Sequence, residues 1–472
     1  MKIHKNVTEQ TAIFLSVAKW VFLSTVIGII IGAVVTLFLK LLHYSEEGRS
    51  FLPFSYYYTL PFALMLTVYM IRKYAPNAEG HGTEKVIEAV HKNEARIDLA
   101  VIPVKLFATI VTIFSGGSVG KEGPGAQIGA GVSSFVATKL SFSKEDRKKL
   151  VICGISAGFA TVFGTPIAGA IFGVEVLIIG VILYDVLLPS FIAGFVAFTT
   201  ARFLGIKYTY YDLHFYQNVA LDITLIFKVI VAGIFFGLVS YIVVKSISKV
   251  AKWVKKIPLD PLWIAFMGGV LLIILTWIFG TQYLGLGMGT IKEVLGPFPT
   301  MSDSIPWYAF LVKTLFTSIT LGVGGSGGII TPLFYIGATS GHIFGVLMGN
   351  DHVAMFAALG FISVLSGSTN TPIAATIMAV ELFGIDIAHY AALSVVISFL
   401  LSGHRSVYSS QILAMRKSSM LDVKFGEEIE KSEVVLDDKE INRIRDVKTR
   451  LEMRRKRMKE LRKGKISKDS SQ

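Results

Sequence analysis

Between Ser115 and Gly131 the chain reads SGGSVGKEGPGAQIGAG, seven glycines in seventeen positions, with one lysine and one carboxylate set between long apolar runs. A charge at bilayer depth is costly enough to need a purpose, so Glu122 is the first candidate for chemistry. Gly116, Gly117 and Gly120 free the backbone to turn its amides toward a ligand, and Pro124 stands where a helix would begin. A helix N-terminus offers unpaired N–H groups and a positive dipole end, which together make an anion site. In membrane transporters such half-helix ends point at the substrate near the midplane. The chemistry expected here is therefore anion binding.

The elements that position this stretch are membrane elements. Of 472 residues 53% are apolar and only 17% charged, with a mean hydropathy of +0.61, which excludes an ordinary soluble enzyme and indicates a polytopic membrane protein. Val21 to Leu39 is uncharged and long enough to span the hydrocarbon core, with no small-residue cleavage site after a short apolar region, so it is read as a retained helix. Before it, residues 1–20 carry Lys2, Lys5 and Lys19 among apolar residues and are expected to form an amphipathic helix on the cytoplasmic surface, a frayed terminus being the alternative. Cys153 is the single cysteine, which rules out an intrachain disulfide and leaves no thiol-based metal site. Lys439 to Lys465 holds thirteen Lys or Arg against four Asp or Glu, most of the net charge of +13, and is read as a cytoplasmic tail obeying the positive-inside rule rather than as a nucleic-acid surface.

Several apolar runs, among them 99–114, 150–163, 353–366 and 372–383, are too short to cross a bilayer unaided. Such glycine-interrupted segments indicate broken or re-entrant helices, tolerated only where they line a cavity or lie buried in protein. An internal repeat organises them. From Thr165 to Glu175 and from Thr371 to Glu381 seven of eleven positions agree at a constant offset of 206. The glycine-rich element recurs loosely as VGGSGGIITPLFYIGA, Val323 to Ala338. Lys207–Asp222 and Val250–Asp260 read as loops, the second as a boundary between halves. The expected organisation is a first transmembrane half over 21–249, a second over 250–413, and a basic cytoplasmic tail over 414–472 with no second folded domain, its stretch Asp437 to Lys465 partly helical.

GKEGP at Gly120 to Pro124, GIITP at Gly328 to Pro332, the paired Thr-Pro-Ile-Ala repeats and their order resemble the CLC family of chloride channels and proton/chloride antiporters, over roughly Val21 to Leu413. The resemblance implies an all-α, inverted-repeat subunit with broken helices meeting at a central anion site, working as a homodimer in the cell membrane, each subunit holding its own path. It also implies residue roles. Glu122 falls on the external gating glutamate, completed by Gly120, Lys121, Gly123 and Pro124. Ile329 and Ile330 fall on positions whose amides coordinate the ion, and Tyr408 on the tyrosine whose hydroxyl contacts it. Donors without a fixed full charge suit an anion that must also leave.

Two positions depart from the pattern. Where the family's first motif has a serine between two glycines, this chain has His81, which either donates an N–H to the anion or satisfies a neighbouring carbonyl. At the inner proton-transfer glutamate of the antiporters it has Val176. The adjacent Glu175, with its counterpart Glu381, is read as a structural carboxylate, a displaced proton relay being the alternative. No enzyme is expected. The phosphate-loop pattern fails at Ser115 and Glu122, HExxH is absent, and the two GxSxG strings, Gly116–Gly120 and Gly324–Gly328, lack a strand-to-helix setting. The expectation is a chloride channel with a protonation-sensitive gate and no cofactor, the alternative a proton-coupled chloride or fluoride antiporter. Its partners are chloride and other small anions, membrane lipid and a second subunit, without nucleic acid.

Overall fold

The computed structural model describes residues 2–211, 223–296, 305–349 and 352–437. Sixteen α-helices account for most of them. Eight come first: α1 (Lys2–Glu47), α2 (Leu60–Tyr74), α3 (Thr83–Lys92), α4 (Val101–Phe114), α5 (Glu122–Lys139), α6 (Lys144–Phe163), α7 (Pro166–Glu175) and α8 (Tyr184–Phe203). Eight follow in the same order of long and short: α9 (Ile223–Val254), α10 (Pro261–Phe279), α11 (Met288–Val294), α12 (Ala309–Gly322), α13 (Ile330–Leu347), α14 (Val353–Thr369), α15 (Pro372–Phe383) and α16 (Ala388–Leu401). Among the described residues five helices are long and apolar enough to cross a membrane, while α4, α7, α12, α14 and α15 are apolar but shorter. Of these, α14 sits wholly inside the protein, with every residue buried, while α4, α7 and α15 each leave one large apolar side chain exposed, Phe107, Ile167 and Ile373. The outer helices leave large apolar side chains uncovered, such as Phe22 on α1, Phe227 on α9 and Trp277 on α10, as hydrocarbon contact requires.

Two expectations about boundaries change. Residues 2–20 are not a separate segment, because α1 runs unbroken from Lys2 to Glu47. A division at 249/250 falls inside α9, which continues to Val254; the loop starts only at Lys255, and the repeated helix order puts the division ahead of α9. Of the loop expected over 207–222, residues 212–222 lie outside the described residues, as does the basic tail from 438 on.

The halves interlock by exchanging hydrogen bonds. Gly120 and Gly328 form a two-residue antiparallel bridge, N–H to O at 2.6 Å one way and 2.5 Å the other. The Ser118 N–H donates to Thr320 Oγ1 at 3.2 Å, and its counterpart, the Ser326 N–H, donates to Thr112 Oγ1 at 3.1 Å. Each contact is matched by one with the halves reversed, so an approximate twofold passes between Gly120 and Gly328. After α16, β2 (Ile412–Leu413) pairs in parallel with β1 (Ile178–Ile179), and β3 (Leu421–Asp422) pairs antiparallel with β4 (Val435–Leu436). Residues 414–437 thus form a strap folded back on the end of the helical body.

Candidate functional site

The bridge at Gly120 and Gly328 sets the N-termini of α5 and α13 against each other, since Glu122 and Ile330 are the first residues of their helices. The amides of a first turn lie outside the helical ladder and need outside acceptors. Glu122 supplies one. Its carboxylate, buried, reaches across the bridge and accepts the Thr331 N–H at 3.1 Å and the Thr331 hydroxyl at 2.5 Å. A negative group thereby sits on the positive end of the opposite half-helix. Gly120 makes the room, for a Cβ there would collide with the Glu122 carboxylate and lie 2.8 Å from Thr331 Oγ1. Of the three glycines expected to need unusual backbone angles only Gly116 does, at φ 96°; Gly117 and Gly120 are demanded by close approach instead. Pro124 occupies the first turn of α5, where its missing N–H is not required.

A third helix start joins them. The loop carrying His81 and Gly82 packs on Gly123 and Pro124 so closely that a Cβ on Gly82 would lie 2.5 Å from the Gly123 carbonyl oxygen, and α3 begins at the next residue, Thr83. Lys105 of α4 pins this loop by donating to the carbonyls of Ala78 at 3.0 Å and Gly80 at 2.5 Å. Its counterpart Lys313 does the same for the loop before α11, donating to Tyr283 at 3.0 Å and Gly285 at 2.8 Å. Both lysines are fully buried.

Tyr408, also fully buried, lies with its ring centroid 6.4 Å from that of His81. Its hydroxyl faces Thr83 and is within electrostatic reach of two carboxylates, Glu84 and Glu122. His81 Nδ1, Thr83 Oγ1 and the Tyr408 hydroxyl are all buried without a hydrogen-bond partner. Native interiors rarely leave polar atoms so. Converging beside the starts of α3, α5 and α13, these groups can donate to an anion.

The structure therefore brings together Gly120, Lys121, Glu122, Gly123, Pro124, Ile329, Ile330, His81 and Tyr408. Lys121 is the half-buried residue preceding α5, and Ile329 and Ile330 are buried at the start of α13. No bond from the His81 ring to a carbonyl is found among the described residues. Glu175 stands apart: its oxygens accept the N–H groups of Ile373 at 3.0 Å and Ala374 at 2.8 Å. Val176 is buried, its carbonyl accepting from Gln411 Nε2 at 2.7 Å. Thr331, Thr83, Glu84 and Lys105 are additional members. Lys105 was detectable as a lone cation in an apolar run; Thr331 becomes visible only once the halves are paired.

Residues 62–403 match the family model described as voltage gated chloride channel. The chain is 35% identical over 417 residues, 85% of it and 88% of the relative, to a "Chloride/fluoride channel protein" of Pseudomonas syringae pv. tomato. It is 26% identical over 411 residues, 85% of it and 98% of the relative, to an uncharacterised protein of Methanocaldococcus jannaschii. Among solved structures it superposes on a CLC-type fluoride/proton antiporter with a TM-score of 0.79 at 31% identity, covering 85% of this chain and 99% of that one. A slow cyanobacterial chloride/proton antiporter shares the fold, with a TM-score of 0.69 at 19% identity over 81% and 94% of the two chains.

Proposed function

This chain belongs to the voltage gated chloride channel family, whose members are channels and transporters and not enzymes, and on that premise we propose that it is a chloride channel whose path Glu122 closes when ionised and opens when protonated. The observation that carries this is the Glu122 carboxylate seated on the first turn of α13, bonded to both the amide and the hydroxyl of Thr331. An ionised carboxylate there holds the donors an anion would use. Protonation removes its charge and weakens its hold, and chloride takes the place. Amides, hydroxyls and helix ends bind an anion without the full charge that would keep it from leaving. Tyr408, His81, Ile329 and Ile330 complete the donor set, Lys121 adds positive potential, and two subunits with a path each form the working unit, with the strap and tail on the cytoplasmic side.

A second reading, proton-coupled exchange of chloride or fluoride, is favoured by the similarity to the fluoride/proton antiporter. Val176 weighs against it, because the carboxylate that would feed protons to Glu122 is absent at that position. Purified protein in chloride-loaded vesicles tests both. Glu122→Gln should keep chloride flux and weaken its pH dependence; a variant indistinguishable from the parent removes Glu122 as the gate. Under crossed chloride and pH gradients a channel reverses at the chloride equilibrium potential, and a reversal potential that follows the proton gradient establishes exchange.

A further inference from the structure

Glu84, at the second position of α3, is the one carboxylate beside Tyr408 that the proposed gate leaves unused. Its Oε1 accepts three hydrogen bonds from the segment that follows Tyr408: the Ser409 hydroxyl at 2.7 Å, the Ser410 hydroxyl at 2.7 Å and the Ser410 N–H at 3.1 Å. Its Oε2 is buried and has no partner. So one oxygen fixes the side chain in place while the other is free to carry a proton, next to a hydroxyl and a threonine that are also unpartnered.

The surrounding charges do not neutralise it. On α3, Glu88 is taken up by Lys85 at 3.0 Å and Lys92 at 3.6 Å. From the strap, Glu428 pairs with Lys92 at 2.7 Å and Lys431 at 3.0 Å. Lys148 of α6 acts on His91, at the far end of α3. Tyr408 is within electrostatic reach of both Glu84 and Glu122 of α5. Among the described residues no lysine, arginine or histidine forms an ion pair with Glu84. The strap places it toward the end of the protein where β1 and β2 lie, since the Glu430 N–H donates to the Ser409 carbonyl at 3.3 Å and the Ile429 N–H to that of Gln411 at 2.9 Å.

We propose that Glu84 is a second protonatable carboxylate of the anion path, exchanging a proton at Oε2 with water on the strap side of Tyr408, while Glu122 does so on the other. Only the O–H bond at Oε2 is made and broken; the proton comes from water and returns to it. Ionised, Glu84 repels an anion approaching Tyr408; protonated, it lets the anion pass. Under the exchange reading the same group supplies the proton station that Val176 lacks. The proposal rests on the reading of Glu122 as the gate, and its test separates the two.

Chloride flux from vesicles is measured against pH, equal on both sides, for Glu122→Gln, Glu84→Gln and the double variant. Glu122→Gln should keep a residual pH dependence that disappears in the double variant, with flux retained. A flat Glu122→Gln profile, or an unchanged profile in the double variant, overturns the role of Glu84. An absence of flux in the parent overturns the anion path itself. Ser410→Ala leaves the carboxylate in place but removes one donor to its charged form, so the residual titration should move to higher pH. A midpoint that stays put in that folded variant also overturns the proposal.

Discussion

Glu175 and Glu381 each cap the helix that carries the other. Glu175, the last residue of α7, accepts the N–H groups of Ile373 and Ala374 at 3.0 and 2.8 Å, and Glu381, near the end of α15, accepts those of Ile167 and Ala168 at 3.0 and 2.8 Å. Two helices can cap each other in this way only when antiparallel. The repeat is therefore inverted, a fact that similarity between the two sequences could not decide. Each carboxylate also meets the positive end of the opposite helix.

Both oxygens of Glu175 are thus committed to amides, which favours a structural role over a proton relay. Replacing either glutamate by Ala should cost about 1 to 2 kcal/mol, the usual loss for a helix N-cap, read as a lower unfolding temperature in detergent. The two variants should lose similar amounts. Glu175→Gln that keeps its stability yet loses proton-dependent transport would identify a relay instead.

Thr331 holds Glu122 by its hydroxyl as well as its amide. A hydrogen bond to a charged group contributes about 1.5 to 3 kcal/mol, so Thr331→Val should weaken the closed arrangement roughly ten- to a hundred-fold at about 1.4 kcal/mol per factor of ten. Because the lost bond favours the ionised carboxylate, protonation becomes easier and half-maximal flux moves to higher pH. Flux at neutral pH should rise. A profile that coincides with the parent's would show that the hydroxyl does not hold the gate.

How much of this was legible in the sequence depends on how local each device is. GKEGP marks the start of α5 and GIITP that of α13, because glycine and proline act on their own backbone. The Thr-Pro-Ile-Ala repeats and their terminal glutamates are evident in the sequence, but the swap of caps between them needs the antiparallel packing of α7 and α15. Nothing local in the sequence marks Glu84, because its serine partners lie in the segment after α16. Short amphipathic α3 and α11 carry no apolar run, because burial on one side leaves them half polar. The paired lysines Lys105 and Lys313 stand as far apart as Gly120 and Gly328, so their equivalence was readable once the repeat was extended.

Those lysines make different predictions despite identical bonding. Lys105 secures the loop of His81, whereas Lys313 secures its counterpart around Gly285. Lys105→Met and Lys313→Met should both lower stability, by leaving buried carbonyls without donors. Only Lys105→Met should also change the chloride to fluoride permeability ratio, in company with His81→Ser. Tyr408→Phe should change it less. Ratios that are equal in the parent and His81→Ser remove His81 from the path.

The strap gives the last prediction. Glu428 accepts from Lys92, its strongest partner, and from Lys431, which together hold its carboxyl below the usual glutamate range. A carboxyl lowered in the folded state stabilises above its unfolded value, about 4.3, and that contribution is lost as pH falls through the folded value. Docking of the strap should therefore be constant from about pH 8 to 5 and weaken only below the ordinary glutamate value. Amide hydrogen exchange over 421–436, corrected for the intrinsic rate at each pH, reads this out. Lys92→Ala should raise exchange there already at neutral pH, because Glu428 loses the partner that ties the strap to α3. Protection that is unchanged in Lys92→Ala, or that falls away between pH 8 and 5, would show that other contacts hold the strap.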